Sequence, residues 1–156
     1  MNKEYSVLVI SISNPILVGI YENNNLIKTI SEEGKTSDVL PMIFNKILKE
    51  YNLAKIVYVN GPGSYMAIKI AYIFLKTLSI TKSIEFLAAD GFSFNDNSPI
   101  KALGKKYFFK GDDDKIVIDF LSDNETIKEF YLPEDLSKSD IVFSKDTLPN
   151  YNLPAV

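Results

Sequence analysis

Apolar and polar positions follow two different rhythms along this chain, and each change of rhythm predicts an element. β-branched runs from Tyr5 to Ser13 and from Ile16 to Tyr21, split by Asn14-Pro15, predict two strands. Asn23-Asn24-Asn25 then turns the chain into a third, Leu26 to Ile30. After the polar stretch Ser31 to Ser37, the period lengthens: Val39, Leu40, Ile43, Phe44, Ile47, Leu48 and Tyr51 share one helical face. Asp38 is the expected N-cap, with Pro41 in the first turn, where its missing N–H is not needed. Ile56 to Val59 is a short apolar strand that runs into Asn60-Gly61-Pro62-Gly63-Ser64, a turn with Ser64 placed to cap a second helix.

That second helix is apolar nearly all round, with Lys69, Lys76 and Thr77 as its main polar positions. Burial against one sheet does not require so much apolar surface, so the helix is expected to touch two surfaces. Ile84 to Ala89 adds a strand, and Asp90 to Pro99 is a loop by composition. A boundary near residue 95 divides the chain into 1–95 and 96–156.

The later part predicts an antiparallel meander: Lys106 to Lys110, a turn at Gly111-Asp112-Asp113-Asp114, Ile116 to Leu121, a turn at Ser122-Asp123-Asn124, and Ile127 to Leu132. Pro133 to Ser139 has room for one helical turn, Ile141 to Phe143 for a short strand, and the tail with Pro149 and Pro154 is expected to be irregular. The order of three strands, helix, strand, helix, strand is that of an α/β fold, the ribonuclease-H-like half of the actin-like ATPase architecture. The second half, lacking a long amphipathic helix, reads as a reduced remnant made mainly of antiparallel strands.

Composition narrows the chemistry. With 156 residues and 46% apolar content the chain buries a real core. A net charge of -3 without a basic stripe argues against strong direct binding of nucleic acid. The absence of cysteine excludes disulfides and thiolate sites, and the absence of histidine excludes Ser-His-Asp and Cys-His arrangements and the commonest metal ligand. Met1-Asn2-Lys3-Glu4 does not open a signal peptide, and Tyr65 to Ile80, interrupted by two lysines, falls short of the roughly 20 apolar residues of a membrane span. A cytoplasmic protein without membrane contact is expected.

Gly61-Pro62-Gly63-Ser64-Tyr65 is the most distinctive local feature. Two glycines permit a sharp bend and expose the first N–H groups of the helix, which serves either a plain strand-to-helix turn or an anion site. Walker spacing is absent, and the turn is not a dinucleotide fingerprint. Asp112, Asp113 and Asp114 diverge in a hairpin turn and predict no metal site. Tyr107, Phe108 and Phe109 fit alternate burial better than base stacking.

The run Gly61-Pro62-Gly63-Ser64-Tyr65-Met66-Ala67-Ile68-Lys69-Ile70-Ala71 resembles the GPGSFTGLRIGLA signature of the bacterial TsaB family, also called YeaZ. Element order extends the resemblance over residues 5 to about 90. The departures are specific. Ser11-Ile12-Ser13 stands where the family has Asp-Thr-Ser, Lys35-Thr36-Ser37-Asp38 where it has a basic-His-Ser-Glu stretch, and Met66-Ala67 where it has Thr-Gly.

The resemblance implies a catalytically silent subunit of the machinery that makes threonylcarbamoyl-adenosine on tRNA. Such a subunit pairs with the transferase TsaD, works alongside the ATPase TsaE, touches tRNA only indirectly and forms a homodimer in isolation. Expected partner-binding residues are Tyr65, Met66, Lys69, Ile70, Tyr72, Ile73, Phe74 and Thr77, of which Ile70, Tyr72, Ile73, Phe74 and Thr77 also read as core. Ser11, Ser13, Gly61, Gly63 and Ser64 form the candidate phosphate or nucleotide set, with ATP possible in the complex and no cofactor assigned to this chain alone. Two alternatives stay open: an actin-like ATP-dependent phosphotransferase with Asp90 as base, and a homodimeric binding protein using the same helices.

Overall fold

The computed structural model describes residues 3–152; Met1, Asn2 and residues 153–156, including Pro154 of the expected irregular tail, lie outside the described residues. Three strands come first, β1 (Tyr5–Ile10), β2 (Ile16–Glu22) and β3 (Asn25–Glu32). They are followed by α1 (Thr36–Glu50), β4 (Leu53–Val59), α2 (Tyr65–Lys82) and β5 (Glu85–Ala89). After a 3₁₀ turn at Gly91–Phe94 come β6 (Ile100–Lys101), β7 (Lys106–Lys110), β8 (Ile116–Phe120) and β9 (Phe143–Ser144).

The main sheet runs β3-β2-β1-β4-β5-β9, and a second sheet runs β6-β7-β8. β1, β2 and β3 pair antiparallel as a meander, whereas β4 and β5, each reached through a helix, lie parallel to β1 and to each other. Parallel strands need crossovers, and helices in the crossovers bury a face of the sheet. Val7 and Val9 of β1 accordingly pack with Leu40, Ile43 and Phe44 of α1 and Ala71 and Leu75 of α2.

Leu8 and Ile10, pointing the other way by the period of two, pack with Phe94, Leu136 and Ile141. With both faces covered, Val7 to Ile10 of β1 form a continuous apolar run. Burying one such Leu, Ile or Val side chain is worth about 1.5–3 kcal/mol. The region after residue 95 is woven into the same structure, because β9 pairs with β5 and the Tyr21 hydroxyl donates to the Pro133 carbonyl at 2.7 Å.

Several expectations are corrected. β1 ends at Ile10, and residues 11–15 form a bend in which the Ser13 hydroxyl lies 2.8 Å from the Pro15 carbonyl and 3.1 Å from that of Ile10. Asp38 does not cap α1: Lys35 is the N-cap, its carbonyl accepting from the N–H groups of Asp38 (3.0 Å) and Val39 (2.9 Å). Helix thus starts at Thr36, whose side chain is buried, and Asp38 faces the positive end of the helix dipole from within the first turn. Pro41 falls inside the helix and has no N–H to give the Ser37 carbonyl.

Ile127 to Leu132 is not a strand. Its backbone bonds back to the loop after β5, Lys128 N–H to the Ser98 hydroxyl at 3.0 Å and Tyr131 N–H to the Phe94 carbonyl at 2.9 Å, while Phe130 and Leu132 pack under the main sheet. β6 is the third strand of the small sheet instead. The segment Pro133 to Ser139 forms no helical turn; Asp135 bridges Asn25, and the Leu136 N–H donates to the Asn24 carbonyl at 2.9 Å. Among the described residues no helix is long and apolar enough to cross a membrane.

Candidate functional site

Ser64 caps α2 as expected, its hydroxyl accepting from the Ala67 N–H at 3.4 Å. Ser11, at the end of β1, is buried and its hydroxyl donates to the Ala67 carbonyl at 3.4 Å. The structure therefore brings Ser11, Gly63 and Ser64 to one place, the N-terminal turn of α2. Gly63 is packed from within the chain. A Cβ built on Gly63 would lie 2.6 Å from Cγ2 of Ile12, and one built on Gly91 would lie 2.9 Å from Cδ1 of the same side chain.

Gly61, at a φ of +136° that side chains rarely adopt, is covered in turn by residues 148–150. A Cβ there would meet the Asn150 carbonyl oxygen at 2.0 Å. The Asn150 N–H donates to the Asn60 carbonyl at 2.8 Å, and the Asn60 side chain donates to the Leu148 carbonyl at 3.1 Å. The glycines are needed for close approach of the chain's own Ile12 and Asn150. Ser13 lies apart, lining a separate cavity with Asn14, Pro99 and Tyr107.

Asp90, the candidate base, has both oxygens engaged. Oδ1 accepts from the Phe92 N–H at 2.9 Å, capping the 3₁₀ turn, and Oδ2 pairs with the Lys110 ammonium at 2.6 Å. The role the structure shows for it is to pin the small sheet's hairpin to the end of β5.

The larger unexplained feature lies on the helices. Ile70, Ile73, Phe74 and Thr77 of α2, with Leu78 and Thr81, form one wall of an apolar groove of about 440 Å³, and Thr36, Ser37 and Pro41 of α1 form the other. Ile73 stays 54% exposed, and Met66 (57%) and Ile80 (67%) extend the same helical stripe toward either end. The opposite side of α2 buries Ile68, Ala71, Leu75 and Ser79. The helix is two-faced, one stripe in the core and one open along the groove.

The remaining predicted contacts lie off that stripe. Tyr72 packs inward near Tyr58 and Phe86, at ring separations of 6.2 and 6.4 Å. Tyr65 stands 4.3 Å from the Tyr151 ring, and Lys69 lies over Tyr65 at 5.8 Å. The sequence does not mark the α1 wall, because Thr36 and Ser37 fall in the polar stretch before the apolar periodicity, and Leu78 and Thr81 lie one and four residues past Thr77, the last expected contact.

No protein-family model matches the chain, and no curated protein matches it. Solved structures do. YeaZ from Pseudomonas aeruginosa superposes with a TM-score of 0.58 over 97% of this chain and 72% of its own, at 11% identity. The chain has the YeaZ fold. A protein described as uncharacterized, with similarity to peptidase YeaZ from Pseudomonas aeruginosa, matches with the same TM-score over 97% of this chain and 69% of its own, at 12% identity. What is shared with YeaZ at such identity is the α/β architecture, a mixed main sheet with α1 and α2 as its crossovers and a smaller antiparallel sheet after it. More than a quarter of each of those YeaZ-like chains lies outside the match.

Proposed function

We propose that this chain is a non-catalytic subunit of the TsaB (YeaZ) type, which binds the catalytic transferase paralogue TsaD of the threonylcarbamoyl-adenosine machinery through the α1–α2 groove. The observation that carries the reading is the second apolar stripe of α2, left open beside its buried one. Covering the exposed parts of Met66, Ile73 and Ile80 with an apolar helix would contribute about 3 kcal/mol before ordering costs, enough to make them the anchors of an interface. The YeaZ fold and the resemblance of Gly61 to Ala71 to the TsaB signature support TsaD as the partner in this reading.

The chain itself catalyses nothing in this reading. It has neither histidine nor cysteine, its candidate base is tied to Lys110 and Phe92, and its glycine turn is filled by Ile12 and Asn150. Nucleotide chemistry then belongs to TsaD and to the ATPase TsaE, and tRNA is met only through the assembly. Titration calorimetry against the transferase homologue of the same organism tests this. Saturable binding that Ile73→Asp abolishes supports it; a folded chain that gives no heat with the homologue overturns it, and a heat of dilution that Ile73→Asp removes moves the groove's partner to a second copy.

A further inference from the structure

The outer edge of β8 has no strand beside it among the described residues. Its hydrogen-bonding direction follows from the hairpin, where the Gly111 N–H donates to the Lys115 carbonyl at 3.0 Å. Alternation from that pair turns Val117 and Asp119 toward their β7 partners Phe109 and Tyr107, and turns the N–H and C=O of Ile116, Ile118 and Phe120 outward. Phe120 agrees: its N–H is met by its neighbour Asp119 Oδ1 at 2.7 Å rather than by β7.

We propose that two copies of this chain pair antiparallel along β8, with the two-fold axis at Val117. In that register Ile116 of each copy exchanges backbone hydrogen bonds with Ile118 of the other, four bonds in all. Lys115 stands opposite Asp119 on both sides of the axis, and Val117 stands opposite itself. Lys115, Val117 and Asp119 share the exposed face of the strand, with Val117 56% exposed, so the two ion pairs flank an apolar contact at the axis.

The charge pattern selects the register. A shift by one step of the ladder, to an axis at Ile118, sets Val117 against Asp119 and leaves Lys115 against Leu121. The edge carries no proline and no inward-pointing charge. Five residues of edge make a small interface, of the size of weak, concentration-dependent associations. This surface is separate from the α1–α2 groove, so pairing through β8 joins two chains whose grooves stay free.

Because the chain has no cysteine, Val117→Cys carries a single thiol. A non-hydrogen-bonded antiparallel pair sets its Cα atoms about 4.5 Å apart, within disulfide reach. Under mild oxidation of the full chain, Val117→Cys is expected to form a covalent dimer about tenfold or more faster than the exposed turn variant Asp123→Cys. In sedimentation at rising concentration, Asp119→Lys is expected to abolish self-association and Lys115→Asp/Asp119→Lys to restore it. Crosslinking no faster than in the control, or association that Asp119→Lys does not move, overturns the proposal.

Discussion

Ile12 and Gly63 press together so closely that a methyl group on Gly63 would lie 2.6 Å from Ile12 Cγ2. That contact decides the character of the glycine turn. The same side chain abuts Gly91, so Ile12 wedges between the turn before α2 and the turn after β5. Gly63→Ala is expected to destabilise the fold by about 1–3 kcal/mol through overpacking. Ile12→Ala in the same chain makes room, and a double-mutant cycle by urea unfolding is expected to show a favourable coupling of about 1 kcal/mol or more. Additive losses would show that Ile12 is not the obstruction.

Asp90→Ala tests whether chemistry resides at the end of β5. Losing the cap on Phe92 and the partner of Lys110 is expected to lower stability by about 1–2 kcal/mol. Phosphate release from ATP is expected to stand at background in both proteins. Turnover in the parent that disappears in the variant would instead make Asp90 a base and revive the phosphotransferase alternative.

Tyr21→Phe isolates one bond between the main sheet and the later chain. The Pro133 carbonyl is buried and receives the Tyr21 hydroxyl across 112 positions of sequence. Removing the donor is expected to cost about 1–3 kcal/mol, since the acceptor is left without water. Faster hydrogen exchange at the Leu136 N–H, which bonds to the Asn24 carbonyl, is the local readout.

Alkaline pH should reveal the buried tyrosines. Burial pushes the hydroxyls of Tyr21 and Tyr58 well above the ordinary tyrosine range, with the nearby Tyr72 adding to the effect at Tyr58. A raised folded pKa means that the folded state keeps protons the unfolded state gives up. The contribution is therefore intact below about pH 10 and is lost above it, at about 2.7 kcal/mol per pH unit while both hydroxyls stay protonated in the folded state. Absorbance at the phenolate band is expected to show these two tyrosines ionising only with unfolding; reversible ionisation in the folded protein would contradict their burial.

Periodicity revealed the first half of the fold because there each element buries what its own pattern displays. The heptad-like face of Val39 to Ile47 meets Val7 and Val9, and β1, β4 and β5 are apolar enough to be covered twice. It failed where tertiary contacts overrode local signals. Ile127 to Leu132 carries strand-favouring residues after a turn, yet its partners are the Phe94 carbonyl and the Ser98 side chain, which no local pattern announces. Asp38 has the chemistry of a cap, but burial of Thr36 starts the helix earlier.

The candidate site was legible in part for the same reason. Ile70, Ile73 and Phe74 stand out as an apolar surplus on α2, while the α1 wall of the groove depends on a helix start the sequence does not mark. The glycine turn was legible as a motif, but its filling by Ile12 and Asn150 is a product of packing between distant segments.

Hydrogen exchange read by mass spectrometry, on the chain alone and mixed with the transferase homologue of the same organism, tests the central claim most directly. Protection on mixing is expected along the α2 stripe from Met66 to Ile80 and at Thr36 to Pro41, and is expected to vanish with Ile73→Asp. Unchanged exchange there, or protection confined to the sheet edges and loops, would contradict docking through the α1–α2 groove.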